Sequence, residues 1–274
     1  MTLSEASLSK IITITTDFGY SDPFVGQMKG IILSINPEVK IVDITHEIES
    51  HCIEDASFVL YNSYKYFPEG TIHVVVVDPG VGSSRRAIII QTDGHYFVMP
   101  DNGLISYVVK NKPFKAIKIE NKRYILKEKS STFQGRDVFA PVAAWLSKGL
   151  NIEEFGSEIE NPVVFPIQEP EIKSVKGKRK IKGRIIYIDK FGNAITNIGI
   201  KHLQEIYNLK DISVIKIKIG RLYLPIVKCY SESPNKPAAL INSDDYIEIF
   251  VYKNRASKIL NLSKNKTVQV IIDG

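Results

Sequence analysis

Apolar positions follow two different rhythms on either side of a polar stretch at residues 161–182. Ahead of it, residues 11–16 form a β-branched apolar run that stops at Asp17-Phe18-Gly19, the mark of a buried strand entering a glycine-containing loop. Residues 23–36 place Phe24, Met28, Ile31, Ile32 and Ile35 at near-helical spacing and predict a helix. Residues 40–44 predict a second strand, and the nearly unbroken apolar run at 71–77 a third. Between them, residues 53–67 carry Ala56, Val59, Leu60 and Tyr64 on one face and end at Pro68-Glu69-Gly70, which predicts a second amphipathic helix. Continuous apolar strands alternating with helices argue for a parallel sheet covered on both faces. Residues 87–91 and 96–99, separated by Thr92-Asp93-Gly94-His95, predict a hairpin, and residues 138–150, with the only tryptophan, Trp145, another helix.

The polar stretch is rich in Pro, Glu and Lys and has no period, so it is expected to be a linker. Beyond it the apolar runs are short and strand-like, at 183–188, 212–219, 222–227, 246–251 and 267–272. The expected architecture is an N-terminal α/β domain with a mostly parallel sheet over residues 1–165. A linker follows at 166–182, and a smaller all-β C-terminal domain spans 183–274.

Composition narrows the function classes. A chain of 274 residues buries about three quarters of the surface it exposes when unfolded, so it builds a core without staples. Cys52 and Cys229 lie far apart, in no CxxC or zinc spacing, which points away from a disulfide framework and towards a reducing, cytoplasmic compartment. The opening residues have no basic segment followed by an apolar one and are expected as a short polar tail, not a signal peptide. Every apolar run falls far short of the ~18 residues a membrane span needs. The net charge of +6 sits largely in lysine clusters, notably at 173–182, without interleaved aromatics. A solvated basic surface is expected there in preference to a nucleic-acid interface. None of the five histidines (His46, His51, His73, His95, His202) has metal-ligand spacing, so no metal site is expected.

Four carboxylate-bearing loops follow apolar strands: Thr15-Thr16-Asp17-Phe18-Gly19, Asp43-Ile44-Thr45-His46, Asp78-Pro79-Gly80-Val81-Gly82 and Pro100-Asp101-Asn102-Gly103. Ligands of open α/β sheets bind outside the carboxyl ends of strands, so Asp17 and Asp78 stand where a site would be. Any one such Asp also suits a turn or a helix cap. The Asp78 loop is neither a Walker loop nor GxGxxG, and its Asp78 and Arg85 can pair across it. Gly135, in Thr132-Phe133-Gln134-Gly135-Arg136-Asp137, opens a helix where backbone N–H groups can receive an oxygen. In the second domain, Phe191 and Asn193 offer an aromatic face and an amide of the kind that suits a purine; the segment also reads as a simple Gly-Asn hairpin turn.

Six ordered motifs, TTDFG, DITH, VDPGVG, PDNG, TFQGRDVFAP and IDKFGNAITN, together resemble the S-adenosyl-L-methionine hydrolases (adenosine-forming), relatives of enzymes that attach fluoride or chloride to the same substrate. The resemblance implies a homotrimer with sites at subunit interfaces, a small-molecule substrate, and attack of water or hydroxide on the ribose C5′ with no metal or cofactor. It implies that Asp17 holds the ribose hydroxyls and that Asp78 and Arg85 handle the water. It places Phe191 and Asn193 on adenine, Asp189 and Ser243 near the methionine part, and His51, Phe133, Gly135 and Ala256 among the substrate contacts. The halogenating relatives lack that Asp and Arg and carry an extra loop after the hairpin. Here both residues are present and the hairpin runs quickly on to PDNG, which favours water as the nucleophile.

Two positions depart from the pattern. Gln134 stands where the hydrolases carry a histidine, and glutamine hydrogen-bonds but takes no proton near neutral pH. His51 stands where relatives often carry another aromatic. The first departure keeps open an alternative: a protein that binds S-adenosyl-L-methionine or adenosine with little turnover.

Overall fold

Buried β-branched strands build the first sheet, and the computed structural model describes it within residues 10–127, 130–175, 178–206 and 214–272 of the chain. The chain divides into two units, one ending at Ile167 and the other beginning at Gln168. In the first, six strands run in the order β2-β1-β3-β5-β4-β6. They are β1 (Ile11–Thr16), β2 (Lys40–Thr45), β3 (Ile72–Val76), β4 (Ala87–Thr92), β5 (His95–Pro100) and β6 (Lys115–Lys118). β1 pairs in parallel with β2 and β3, and β3 with β5; the β4 pairings with β5 and β6 are antiparallel. The β4–β5 turn holds Asp93 and Gly94 at φ of 54° and 76°. Positive φ at both central residues gives the right-handed twist that a two-residue hairpin needs.

Alternation in β3 explains why both faces are covered. Ile72, Val74 and Val76 pack with Met28 and Ile32 of α1 (Phe24–Ile35) and with α4 (Ala140–Ser147). Val75 packs the other way, with Ala56 and Leu60 of α2 (Ile53–Tyr64) and Val108 of α3 (Ser106–Val109). Two helical layers therefore sandwich the sheet, as continuous apolar strands require.

The second unit is one almost closed sheet. Its strands are β7 (Glu171–Val175), β8 (Lys178–Ile188), β9 (Ala194–Gly199), β10 (Ile215–Ile219), β11 (Leu222–Pro225), β12 (Ala238–Ile241), β13 (Tyr246–Phe250) and β14 (Thr267–Ile272), with short helices α5 (Ile200–Ile206) and α6 (Ala256–Ile259). The order is β11-β10-β14-β8-β9-β13-β12, with β7 added on β8, and all these pairings are antiparallel. A bridge from Ile226 to Ala239 brings the two ends of that order together. Ile181, Ile217, Ile247, Ile249 and Val268 fill the interior.

The α/β unit followed by an all-β unit matches the sequence expectation, but the linker does not. Residues 166–182 contain β7 and the start of β8. Charged residues there alternate with Ile172, Val175 and Ile181, and the pairing of β7 on β8 turns that weak alternation into a hairpin. The expected polar tail and residues 212–213 of a predicted strand lie outside the described residues. Lys173, Lys180, Lys182 and Lys216 are exposed on the sheet. Neither Cys52 nor Cys229 is in a disulfide, and among the described residues no helix is long and apolar enough to cross a membrane.

Candidate active site

The loops at the carboxyl ends of β1, β2 and β3 meet around a cavity of about 480 Å³ in the first unit. Asp17 and Phe18 enter it after β1, Ser50 and His51 after β2, and Asp78 and Val81 after β3. Thr132, Phe133, Gln134 and Gly135 close another side. This is the position where an open, mostly parallel sheet leaves strand-end loops and backbone groups for a ligand.

Asp78 is the best-fixed charge on the wall. Arg85 Nε donates to its Oδ1 at 3.0 Å, and a second guanidinium nitrogen of Arg85 donates to its Oδ2. Such a two-pronged ion pair sets the plane of the carboxylate as well as its position. The side chains are only 6% (Asp78) and 10% (Arg85) exposed. The guanidinium lies 5.5 Å over the Phe139 ring, behind Asp78, so Arg85 aims the carboxylate from outside the cavity wall. The loop between them is tight: Val81 N–H donates to Asp78 O, and Ser83 N–H and Oγ–H both donate to Gly80 O. The PDNG segment buttresses it, with Asn102 Nδ2 donating to the carbonyl of Val77 at 2.9 Å.

A proline shapes the Gln134 side. Residues Gly135–Phe139 form a single π-helical turn that runs directly into α4, where Ala140 N–H donates to Gly135 O. Pro141 has no N–H for the carbonyl of Asp137, four residues back; Leu126 N–H takes that carbonyl at 3.0 Å instead. Single π turns of this kind recur at functional sites. Asp137, fully buried, binds Arg136 Nε at 2.6 Å and the N–H of Ser130 at 2.5 Å, which ties the Thr132–Gly135 wall to the helix start. Phe18, Phe24 and Phe133 meet edge to face at centroid distances of 5.3–5.8 Å and form an apolar panel beside it.

The DITH segment holds the Asp17 loop from below. His46, completely buried, pairs through Nδ1 with Thr16 Oγ1 at 2.8 Å, and its carbonyl accepts from Gly19 N–H. Its Nε2 lies 3.1 Å from Asp43 Oδ1, and Lys29 Nζ lies 2.5 Å from Oδ2. Burial alone raises the Asp43 carboxyl, but the hydrogen bonds from Lys29 and His46 outweigh it and hold the pKa below the usual value. Across the mouth, His51 N–H donates to Asp17 Oδ2 at 2.9 Å. His51 takes φ of 67°, a left-handed conformation that costs a non-glycine residue about 1–2 kcal/mol. That conformation turns the backbone N–H onto Asp17, and His51 lines the cavity.

The remaining expected residues lie in the second unit. Asp189, Phe191 and Asn193 share the β8–β9 turn, where Gly192 has φ of 84°. Asn193 N–H donates to Asp189 Oδ1 at 2.8 Å, and its Nδ2 to Asp189 Oδ2 at 3.2 Å. The hairpin-turn reading is therefore right as local structure, yet the same turn leaves Phe191 75% exposed. Ser243 falls in the β12–β13 turn, and Ala256 opens α6 as a buried residue.

The structure thus brings Asp17, His51, Asp78, Phe133, Gln134 and Gly135 to one cavity. The sequence reading missed Phe18 and Phe24 there. Phe18 sits inside TTDFG, and Phe24 read as one more apolar position of a helix. As for metals, Glu49, Cys52 and Asp55 have ligand-type atoms within 4.8 Å of one another, a grouping that histidine spacing does not reveal.

Comparison with known proteins adds to this geometry. The family model for the SAM hydroxide adenosyltransferase N-terminal domain matches residues 12–156, and that for the C-terminal domain residues 183–269. The chain is 40% identical over 272 residues to the (R)-S-adenosyl-L-methionine hydrolase of Methanocaldococcus jannaschii, covering 95% of each chain. It is 31% identical to the protein of the same name from Thermus thermophilus, covering 93% of this chain and 97% of that one. A fluorinase from an Actinoplanes species is 26% identical, with 97% of this chain and 98% of the other covered. Among solved structures, an uncharacterized conserved protein from Thermotoga maritima superposes with a TM-score of 0.87 at 34% identity, covering 94% of this chain and 99% of that one.

Proposed function

The chain belongs to the SAM hydroxide adenosyltransferase family, and on that premise we propose that it hydrolyses S-adenosyl-L-methionine to adenosine and L-methionine. The observation that carries the reading is Asp78: a carboxylate on the wall of a cavity, held in one plane by Arg85. In the reaction, water oxygen bonds to C5′ while the C5′–S bond breaks. The bonding pair leaves on sulfur as a neutral thioether, and one proton goes to solvent. A sulfonium needs no acid to leave, so the protein's task is to hold the nucleophile in line, roughly 3–3.5 Å from carbon, and to favour its loss of a proton. A carboxylate does both for water. It repels a halide, which supports water as the nucleophile.

The other residues take roles that follow from their chemistry. Asp17 accepts from the ribose hydroxyls, with one oxygen already oriented by His51 N–H. Phe133, Gly135 and the imidazole of His51 line the substrate's cavity. Phe191 stacks on adenine and Asn193 meets its edge, while Asp189 and Ser243 serve the methionine part and Ala256 lies beside the purine. No metal ion or cofactor enters these steps. The reading extends to a cytoplasmic homotrimer with sites at subunit interfaces; light scattering that gives a monomer mass at micromolar concentration would remove that extension.

The testing experiment is chromatographic. Purified protein incubated with S-adenosyl-L-methionine is expected to release adenosine and methionine in equal amounts. Absence of both after hours would overturn the reading. Gln134 supports a second reading, in which the protein binds the substrate with little turnover. Gln134→His supplies a group that titrates near neutrality and is expected to raise kcat by about 10²-fold, the lower end of the 10²–10⁴-fold range of positioned acid–base groups. An unchanged kcat would show that glutamine does the full work of positioning water.

A further inference from the structure

The PDNG segment takes no part in the reaction above, yet it reaches Asp78 by two routes. Asn102 holds the peptide just ahead of Asp78, through the carbonyl of Val77. The second route runs through Arg86. Arg86 and Asp101 face each other one step beyond the Ala87–Pro100 pair of β4 and β5, and Asp101 N–H donates to the Arg86 carbonyl at 2.9 Å. That carbonyl accepts a second bond, at 3.3 Å, from Arg85 Nη1, the guanidinium nitrogen that the fork on Asp78 leaves over. Arg85 is thus held at two edges of its plane, by Asp78 and by the Arg86 carbonyl. The Arg86 side chain is fixed in turn. Its Nε donates to Asp101 Oδ2 at 2.6 Å, and its terminal nitrogens donate to Oδ1 and the carbonyl of Asn161 at 2.9 and 2.6 Å. Asp101 Oδ1 accepts from Val163 N–H at 2.6 Å, so one carboxylate, 1% exposed, ties the end of β5, Arg86 and the chain at 161–163 together. Gly103 completes the seat. At φ of 106° it admits the Phe165 ring so closely that a Cβ there would lie 3.0 Å from it, and Phe165 N–H donates to Ser106 Oγ at 2.9 Å.

A buried ion pair is often worth no more to stability than apolar residues of the same volume. What it supplies is direction, because charge-assisted bonds from a planar guanidinium fix an orientation as well as a distance. We propose that Asp101 is a positioning residue for the water-handling pair: by clamping Arg86 it fixes the carbonyl that aims the Arg85 guanidinium, and through it the plane of the Asp78 carboxylate. The proposal rests on the reading above that Asp78 acts on water. It gives the PDNG motif a role in the reaction, and it makes the segment at 161–165, which has no helix or strand of its own, part of the site's support. In-line attack tolerates little misaim, since a displacement of about 1 Å can cost about 100-fold in rate.

Asp101→Asn keeps the volume and an acceptor for Val163 N–H but sets an amide N–H against the Arg86 guanidinium. It is expected to lower kcat by about 10- to 100-fold, with KM within about threefold of native. Added to Arg85→Gln, the same change is expected to cost less than about threefold more, because the residue it acts through is gone. Losses that multiply in the double variant, or a native kcat in the single one, would overturn the proposal. A second readout needs no turnover. In protein carrying isotope-labelled arginine, the Arg85 Nε–H signal is identified by its loss in Arg85→Lys. Asp101→Asn is expected to speed its exchange with solvent about tenfold or more. Arg136 Nε–H, held by the buried Asp137, is expected to keep its native rate. Equal acceleration of both signals, or of neither, would leave Asp101 a purely structural residue. A native protein that makes no adenosine therefore counts against hydrolysis and not against the clamp. Arg86→Gln carries the same test should Asp101→Asn not fold.

Discussion

Asp78→Asn is expected to lower the rate of adenosine formation by about 10²–10⁴-fold, while affinity for the sulfonium substrate stays within about tenfold of native. Asparagine keeps the shape of the wall but turns an acceptor into a half-donor, so it can neither draw a proton from water nor hold a hydroxide-like oxygen in line. The same change has a second readout. The Arg85 guanidinium is 10% exposed and loses its charged partner, and removing one member of a largely buried pair costs about 3–5 kcal/mol in the harsher cases. Asp78→Asn combined with Arg85→Gln removes both charges and should recover much of the unfolding temperature without recovering the rate. Rate and stability would then separate, as they must if Asp78 acts on water and Arg85 acts on Asp78. A single variant that kept the native rate within a factor of ten would take Asp78 out of the chemistry.

Acid sensitivity should come from the other end of the same sheet. His73, fully buried on β3, pairs through Nδ1 with Thr13 Oγ1 at 2.7 Å, stacks on Phe97 and meets His95 Nδ1 at 3.2 Å. Burial, aided by the charge of His95, pushes its pKa down from 6.5 to about 3. His95, flanked by Asp93, Glu69 and Lys112, is lowered mainly by burial too. Between those values the unfolded chain binds a proton that the folded chain refuses. The stability from a neutral His73 is thus fully present above about pH 6.5 and is lost as pH falls towards 3, with a slope of up to ~1.4 kcal/mol per pH unit for one group. Urea unfolding between pH 5.5 and 7 checks this, since hydrogen bonds and ion pairs hold the carboxyls of Asp43, Asp93 and Glu153 below their usual values, and their effect on stability falls below that window. His73→Asn, which cannot be protonated, should flatten the profile in that range; an equally steep profile in the variant would assign the sensitivity elsewhere.

The first sheet was legible because its strands are continuous apolar runs, and only burial on both faces explains such runs. The second was harder to read for the same physical reason turned round. β9 (Ala194–Gly199) is entirely buried yet includes Thr196 and Asn197, whose side chains are satisfied by Ile247 O, by Gln168 O and by Arg184 N–H, partners that no local pattern announces. β7 reads as a charged linker until β8 pairs with it. At the site, sequence located Asp17, Asp78 and Gln134 because strand ends and ordered motifs mark them. It could not locate Phe24, an ordinary helix position that the fold turns towards the cavity.

The π turn ahead of Pro141 also acts as a phase shifter. An α-helix advances by ~100° per residue, and a turn holding one additional residue rotates everything upstream of it by a comparable angle relative to everything downstream. Val142, Ala143 and Leu146 keep their alignment with the core, while Gln134 and Gly135 are dialled round to the cavity. The two halves of one continuous helical segment are thereby geared separately. Exchange of the wall residue, glutamine here for the histidine of the pattern the chain resembles, leaves the packing stripe of α4 where it was, so the nucleophile's environment can drift without any cost to the fold beneath it.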